Sequence, residues 1–187
     1  MNGMNIEKQI LTVNKFSRPA AKLIGVRGVV IHWVGNAGST ARANRNYFEN
    51  LKNQKDVKNA RYASAHFIVG LNGEVIQCIP IDETAYHVGA ASYRLGITER
   101  LSTYPNNCTI GLELCHPDWT GRFTDSTYGS AVELTAVLLK QFNLNPQKDV
   151  YRHFDITGKI CPKFFVDDLS AWLKFKSDAE KYLIGIL

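Results

Sequence analysis

Apolar residues recur along the chain in short blocks, each with its own period. Val29-Val30-Ile31 is an unbroken β-branched run leading into His32 and Trp33, the pattern of a buried strand. Residues 35–40 carry loop chemistry, and Ser39 or Thr40 can cap a helix over residues 41–52, with Tyr47, Phe48 and Leu51 on one side. Residues 66–69 and 75–79 flank Asn72-Gly73, a pair that takes positive φ readily, so the pattern predicts a hairpin with a type I′ turn. Residues 109–114 form another strand, with Glu113 inside an apolar run. Thr124-Asp125-Ser126-Thr127 starts a helix that is apolar nearly all round over residues 131–142, hence buried, with Pro146 as breaker. Residues 150–162 show no helical period and are dense in Gly, Thr, Asp and Pro, so they read as loop. Leu169, Trp172, Leu173, Ala179 and Leu183 recur at three- and four-residue steps, predicting an amphipathic helix.

Mixed helices and strands with a central hairpin give an expected α/β fold. It is a single domain over residues 1–187, core about residues 28–175, with a central mixed β-sheet flanked by helices. With 45% hydrophobic and 21% charged residues the chain can bury a real core, which excludes a disordered class. A net charge of +5 fits an acidic partner, although many proteins with no polyanionic ligand are this basic. Lys52, Lys55 and Lys58 are interrupted by Asn, Gln and Asp, so they read as a solvated helix end, and no nucleic-acid partner is expected. No apolar run is long enough to span a bilayer, so no membrane insertion is expected. Residues 1–18 lack the basic start, apolar stretch and cleavage site of a signal peptide, so synthesis in the cytosol is expected. Cys78, Cys108, Cys115 and Cys161 show no CxxC pairing and read as buried thiols or a metal ligand. The oligomeric state is not legible.

Chemistry concentrates in residues 151–162, Tyr-Arg-His-Phe-Asp-Ile-Thr-Gly-Lys-Ile-Cys-Pro. A structural zinc site needs four ligands, typically in two close pairs, and no second such pair is present. A catalytic site needs three protein ligands and keeps one position for water. His153 and Cys161 can supply two, and His32 at a strand end can supply a third. Spacing alone leaves this open beside an unrelated His and Cys sharing a loop.

The stretch from His153 to Pro162, together with Val30-Ile31-His32, resembles the zinc-dependent N-acetylmuramoyl-L-alanine amidases of phage endolysins. Peptidoglycan recognition proteins share that fold. The resemblance covers about residues 28–173 in five ordered pieces: 30–32, 64–69, 85–89, 107–114 and 152–162. It implies that His32, His153 and Cys161 hold Zn²⁺ in a surface groove and that Glu113 and Lys159 are catalytic. It implies bacterial peptidoglycan as the partner, cut between N-acetylmuramic acid and L-Ala. Some members place a catalytic Tyr just before the hairpin histidine, where this chain has Ala65. Members with Ala or Ser there generally carry Glu in the Ile-Gly-x-Glu segment, as here at Glu113. No wall-binding domain is visible, and the protein is expected to stay in the host bacterial cytoplasm until released onto the wall.

The chemistry is consistent with that set. Two neutral imidazoles and a thiolate leave a zinc site near +1, which activates bound water and polarises a carbonyl. A carboxylate beside the water can move its proton, and an ammonium can meet the developing oxyanion. The bland alternatives are a solvated Glu113 on the outward face of its strand and a solvated loop Lys159. His87, Trp33 and Asn36 are candidate substrate contacts, with simple packing the alternative for His87. His66 reads as structural, His116 as a loop-rim residue beside Pro117, and Cys78 and Cys108 as small core residues. Two other functions stay in view. A non-catalytic peptidoglycan-binding module would lose the thiolate ligand. A zinc peptidase cutting within the stem peptide has no His-Glu-x-x-His helix to support it.

Overall fold

Six strands, β1 (Ile6–Lys8), β2 (Gly28–Trp33), β3 (Phe67–Val69), β4 (Val75–Gln77), β5 (Thr109–Leu114) and β6 (Val150–Arg152), form one mixed sheet. Their order is β1-β4-β3-β5-β2-β6, and only β3 and β4 are antiparallel neighbours. β2 lies between β5 and β6, covered on both faces, which is why Val29, Val30 and Ile31 form an unbroken apolar run. This computed structural model describes residues 4–185; the first three and last two residues of the expected 1–187 unit lie outside the described residues. No helix among the described residues is long and apolar enough to cross a membrane.

One face of the sheet carries the main core. Val29, Ile31, Phe67, Ile110, Leu112 and Leu114 pack against α3 (Asp125–Phe142) and α6 (Leu169–Leu183). Thr124 caps α3 by accepting from the Thr127 amide, and Asn143 in the left-handed region ends it, as the apolar pattern anticipates. In α6 the buried stripe is Trp172, Phe175 and Ala179 rather than the expected one. Leu169 and Leu173 point outward, because Asp168 caps the first turn and the stacked Trp172–Phe175 pair sets the inward phase against Phe165.

The opposite face carries two smaller clusters. In one, Phe48 and Ala41 of α1 (Ala41–Asn50), with Leu51, cover Ile68 and Ile76. In the other, Val30 and Tyr151 meet Val88, Leu101 and Ile156. Tyr47, expected on the inner side of α1, is instead exposed beside a cavity on this face.

Two further expectations are corrected. The hairpin closes over five residues, with the Gly73 amide donating to Gly70 O and the Gly70 amide to Glu74 O. Asn72 keeps a negative φ and only Gly73 is left-handed, at +82°, so the turn is not type I′. Residues 150–162 are not all loop: they hold β6 and the one-turn helix α4 (His153–Thr157). The signal was local, the Asp155 carboxylate accepting from the Arg152 amide at the start and left-handed Gly158 at the end, too short for periodicity to register. The short helices α2 (Ile97–Arg100) and α5 (Lys163–Asp167) and strand β1 escape the pattern for the same reason.

Candidate active site

Register brings the key side chains together. His32 on β2 is level with Glu113 on β5, which is level with Ile68 on β3. Paired residues point to the same face, so Glu113 shares its face with His32, opposite Ile110, Leu112 and Leu114. The outward face of β5 is thus the floor of a cavity. β6 pairs with β2 through Ile31 and Arg152, so the next residue, His153, emerges beside His32. The Asp155 carboxylate, accepting from the Arg152 amide, then turns the chain into α4, Gly158 stops it, and the Phe154 amide donates to Cys161 O at 2.9 Å. That bond folds Cys161 back onto His153.

His32, His153 and Cys161 are all buried, and one ligand atom from each lies within 4.8 Å of the others. The Nδ1 atoms of His32 and His153 are 3.1 Å apart, and Cys161 Sγ lies 3.7 Å from His32 Nδ1. Zinc bond lengths of about 2.0–2.1 Å to nitrogen and about 2.3 Å to sulfur put tetrahedral edges at roughly 3.3 and 3.6 Å. The donor set and these two spacings therefore fit a metal ion of zinc's size. Behind the ring, His32 Nε2 lies 3.0 Å from Nδ1 of His87.

Burial governs the electrostatics. It pushes the Cys161 thiol up to about 12, with Glu113 adding to the effect and the Trp33 amide and Lys159 opposing it. It pushes His153 down to about 4 and His32 well below its ordinary value, with neighbouring rings and Lys159 pushing His32 the same way. The rings are thus neutral, as metal ligands must be. Burial also raises the Glu113 carboxyl to about 8, opposed by the Lys159 ammonium. Glu113 Oε2 is buried and has no hydrogen-bond partner. In its ionised form this side chain, in the wall of the same cavity as the three donors, can take a proton there.

A cavity of about 850 Å³ opens over this group. Its wall includes Glu113, Lys159 and Trp33, and it extends past Tyr47, Tyr62 and Tyr104. The tyrosines come from separate segments with no shared motif, so no sequence signal marked them. Of the candidate substrate contacts, Trp33 and His87 line the cavity, His87 being almost wholly buried against His32, and Asn36 sits exposed outside its wall. His66 is fully buried: its ring accepts from the Gly111 amide at 3.0 Å and faces Glu83 O at 2.9 Å.

A model of the N-acetylmuramoyl-L-alanine amidase family matches residues 22–164, most of the chain. The chain belongs to this amidase family. A probable N-acetylmuramoyl-L-alanine amidase of Bacillus licheniformis is 32% identical over 96% of this chain and 48% of its own length. The Bacillus subtilis amidase BlyA is 33% identical over 94% of this chain and 47% of its own. The chain spans about half the length of these curated relatives. Among solved structures, the catalytic domain of XlyA superposes with a TM-score of 0.71 at 23% identity, covering 94% of this chain and 99% of that one. A mutant endolysin from Bacillus subtilis gives 0.70 at 25% identity, covering 94% and 99%.

Two positions refine this amidase site. Ala65 is fully buried in the α1-side cluster, so it presents no acid or base, and Glu113 is the carboxylate in the cavity wall. His116 is not a rim residue: it is fully buried, stacked on Trp33 at 4.5 Å between ring centres. The strand ends at Leu114, before Pro117 is reached, and the chain then folds over so that Nδ1 of His116 lies 2.7 Å from the Asp118 carbonyl. The ring thus backs the cavity's tryptophan.

Proposed function

We propose that this amidase domain binds zinc through His32, His153 and Cys161 and cuts the amide joining N-acetylmuramic acid to L-Ala in peptidoglycan. It would act on the bacterial wall. The observation that carries this is the meeting, in one cavity, of a His-His-Cys donor set with the unpartnered Oε2 of Glu113. Zinc bound there supplies Lewis acidity and a lowered water pKa. Glu113 takes a proton from the attacking water and returns it to the departing L-Ala nitrogen. Lys159, lining the same cavity, offers its ammonium to the lactyl oxygen as that oxygen gains charge. The tyrosine-lined extension gives the glycan and stem peptide an amphipathic wall.

The test is digestion of purified wall followed by analysis of the new ends. The expected result is new L-Ala amino groups without new reducing sugars. New reducing ends would mean glycan cleavage, and new amino groups on later stem residues would mean a peptidase.

A further inference from the structure

We propose that His87 is a positioning residue for the metal site: it accepts the Nε2 hydrogen of His32 and so fixes the His32 lone pair on Nδ1. This rests on the reading of His32 as a metal ligand.

The argument runs inward from Thr109. Its hydroxyl has one hydrogen, and the Pro105 carbonyl lies 2.7 Å away to receive it. Towards His87 the same oxygen therefore presents a lone pair, at 3.2 Å from Nε2. The Thr109 carbonyl also faces Nε2, at 3.4 Å. Two acceptors converge on that nitrogen, so it carries the hydrogen. A neutral imidazole has only one N–H, which leaves Nδ1 of His87 as an acceptor. The group 3.0 Å from it is His32 Nε2, which must then be the donor. His32 thus keeps its other lone pair on Nδ1, the atom 3.1 Å from His153 Nδ1 and 3.7 Å from Cys161 Sγ. Ligating histidines commonly owe their ring orientation to such an outer partner.

The surroundings are built to hold His87 still. The amides of His87 and Val88 both donate to Asn106 Oδ1, at 3.0 and 2.8 Å, and Asn106 is itself buried. The ring lies over Gly111, where a Cβ would come within 2.6 Å of His87 Cγ. Glycine on β5 is what lets the imidazole reach His32. With both ring nitrogens committed, His87 has no polar atom left for substrate, which replaces the substrate-contact role expected from sequence.

The experiment begins with metal-free wild-type protein labelled with ¹⁵N. Long-range ¹H–¹⁵N spectra should show His32 and His87 both protonated on Nε2, with a coupling across the N–H···N bond between them. A His32 ring protonated on Nδ1 would overturn the proposal without any mutant. Two variants then separate positioning from packing. His87→Asn retains an acceptor near the Nδ1 position, and His87→Leu has similar size without one. Zinc affinity, measured by chelator competition, should fall about 10–100-fold in His87→Leu and stay within a few-fold of wild type in His87→Asn. Equal zinc affinity in both variants together with a raised KM would restore the substrate-contact role and sink this one. Should His87→Leu fail to fold, the wild-type spectra and His87→Asn still decide. A wild-type protein that binds no zinc but shows the expected tautomers would refute the metal reading and leave the histidine pair standing.

Discussion

Glu113 is the residue at which packing and chemistry make opposite demands. Its carboxylate is buried without a partner for Oε2, an arrangement that costs stability unless something else uses the lone pair. Glu113→Gln keeps the shape and removes the base. Wall-lysis rate should fall about 10²–10⁴-fold while melting temperature and metal content hold. Near-normal lysis by a folded, metal-loaded Glu113→Gln protein would take Glu113 out of the reaction. Cys161→Ser addresses the ligands instead. A hydroxyl ionises far less readily than a thiol, so metal content should drop sharply, whereas Cys108→Ala, a buried thiol in another cluster, should leave it unchanged. Undiminished metal in Cys161→Ser would remove that sulfur from the site. The residue types of this site were legible in the sequence, because His32, Glu113 and Cys161 sit in motifs. Their supporting shell was not. Asn106, Thr109 and the true place of His116 depend on contacts between distant segments, which no local pattern encodes.

At the scale of elements, the long periodic pieces β2, β5 and α3 matched their patterns, as did the short hairpin strands β3 and β4, whereas β1, β6, α2, α4 and α5, of three to five residues, escaped them. β1 is an example of the second kind, held by neighbours rather than by its own sequence. It pairs only with β4, and the segment after it is strapped to α1. Arg45 donates to the carbonyls of Gln9 and Ile10 at 3.0 and 3.1 Å. Glu49 accepts from the Thr12 amide and hydroxyl at 3.0 and 2.6 Å and pairs with Arg45 and Lys52. Burial alone would raise the Glu49 carboxyl, but Lys52, Thr12 and Arg45 outweigh it and hold it at about 2. A depressed carboxylate stabilises the fold fully above its unfolded value of 4.5, and that contribution is lost as pH falls towards about 2. Glu49→Gln should therefore lose about 1 kcal/mol at pH 7, the solvent-screened worth of such bonds. In urea melts the gap to wild type should close as pH falls from 4.5 to about 2. A gap that stays constant across that range would mean the carboxylate charge plays no part in the strap.

For the molecule as a whole, the consequence of so many buried imidazoles is acid sensitivity. Four of the five histidines, His32, His66, His87 and His153, are held below their ordinary value of 6.5, in each case mainly by burial. Below pH 6.5 the unfolded chain takes up protons that these four rings refuse in the folded chain, His66 and His153 down to about 4, and the raised Glu113 carboxyl opposes them as one group against four. Stability of the metal-free protein should thus fall as pH drops from 6.5 towards 4, read as a lower urea midpoint at pH 5 than at pH 7. Equal midpoints would show that these rings are not held neutral. The single-domain α/β arrangement was readable from the block order. The division of the second sheet face into two clusters with a cavity between them was not, since both clusters use the same alternating strand positions.

The parallel pairing of β2 with β5 and β6 also sets an order in time. His32 leaves the ribosome early, but its strand partners at residues 109–114 and 150–152 are made much later, and Cys161 later still. A nascent chain that ends before residue 150 can form the β3–β4 hairpin and α1, both built from neighbouring residues. It carries one histidine of the ligand set and neither of the other two ligands. The growing polypeptide thus has no complete donor set until Cys161 has been made and folded back onto the histidines.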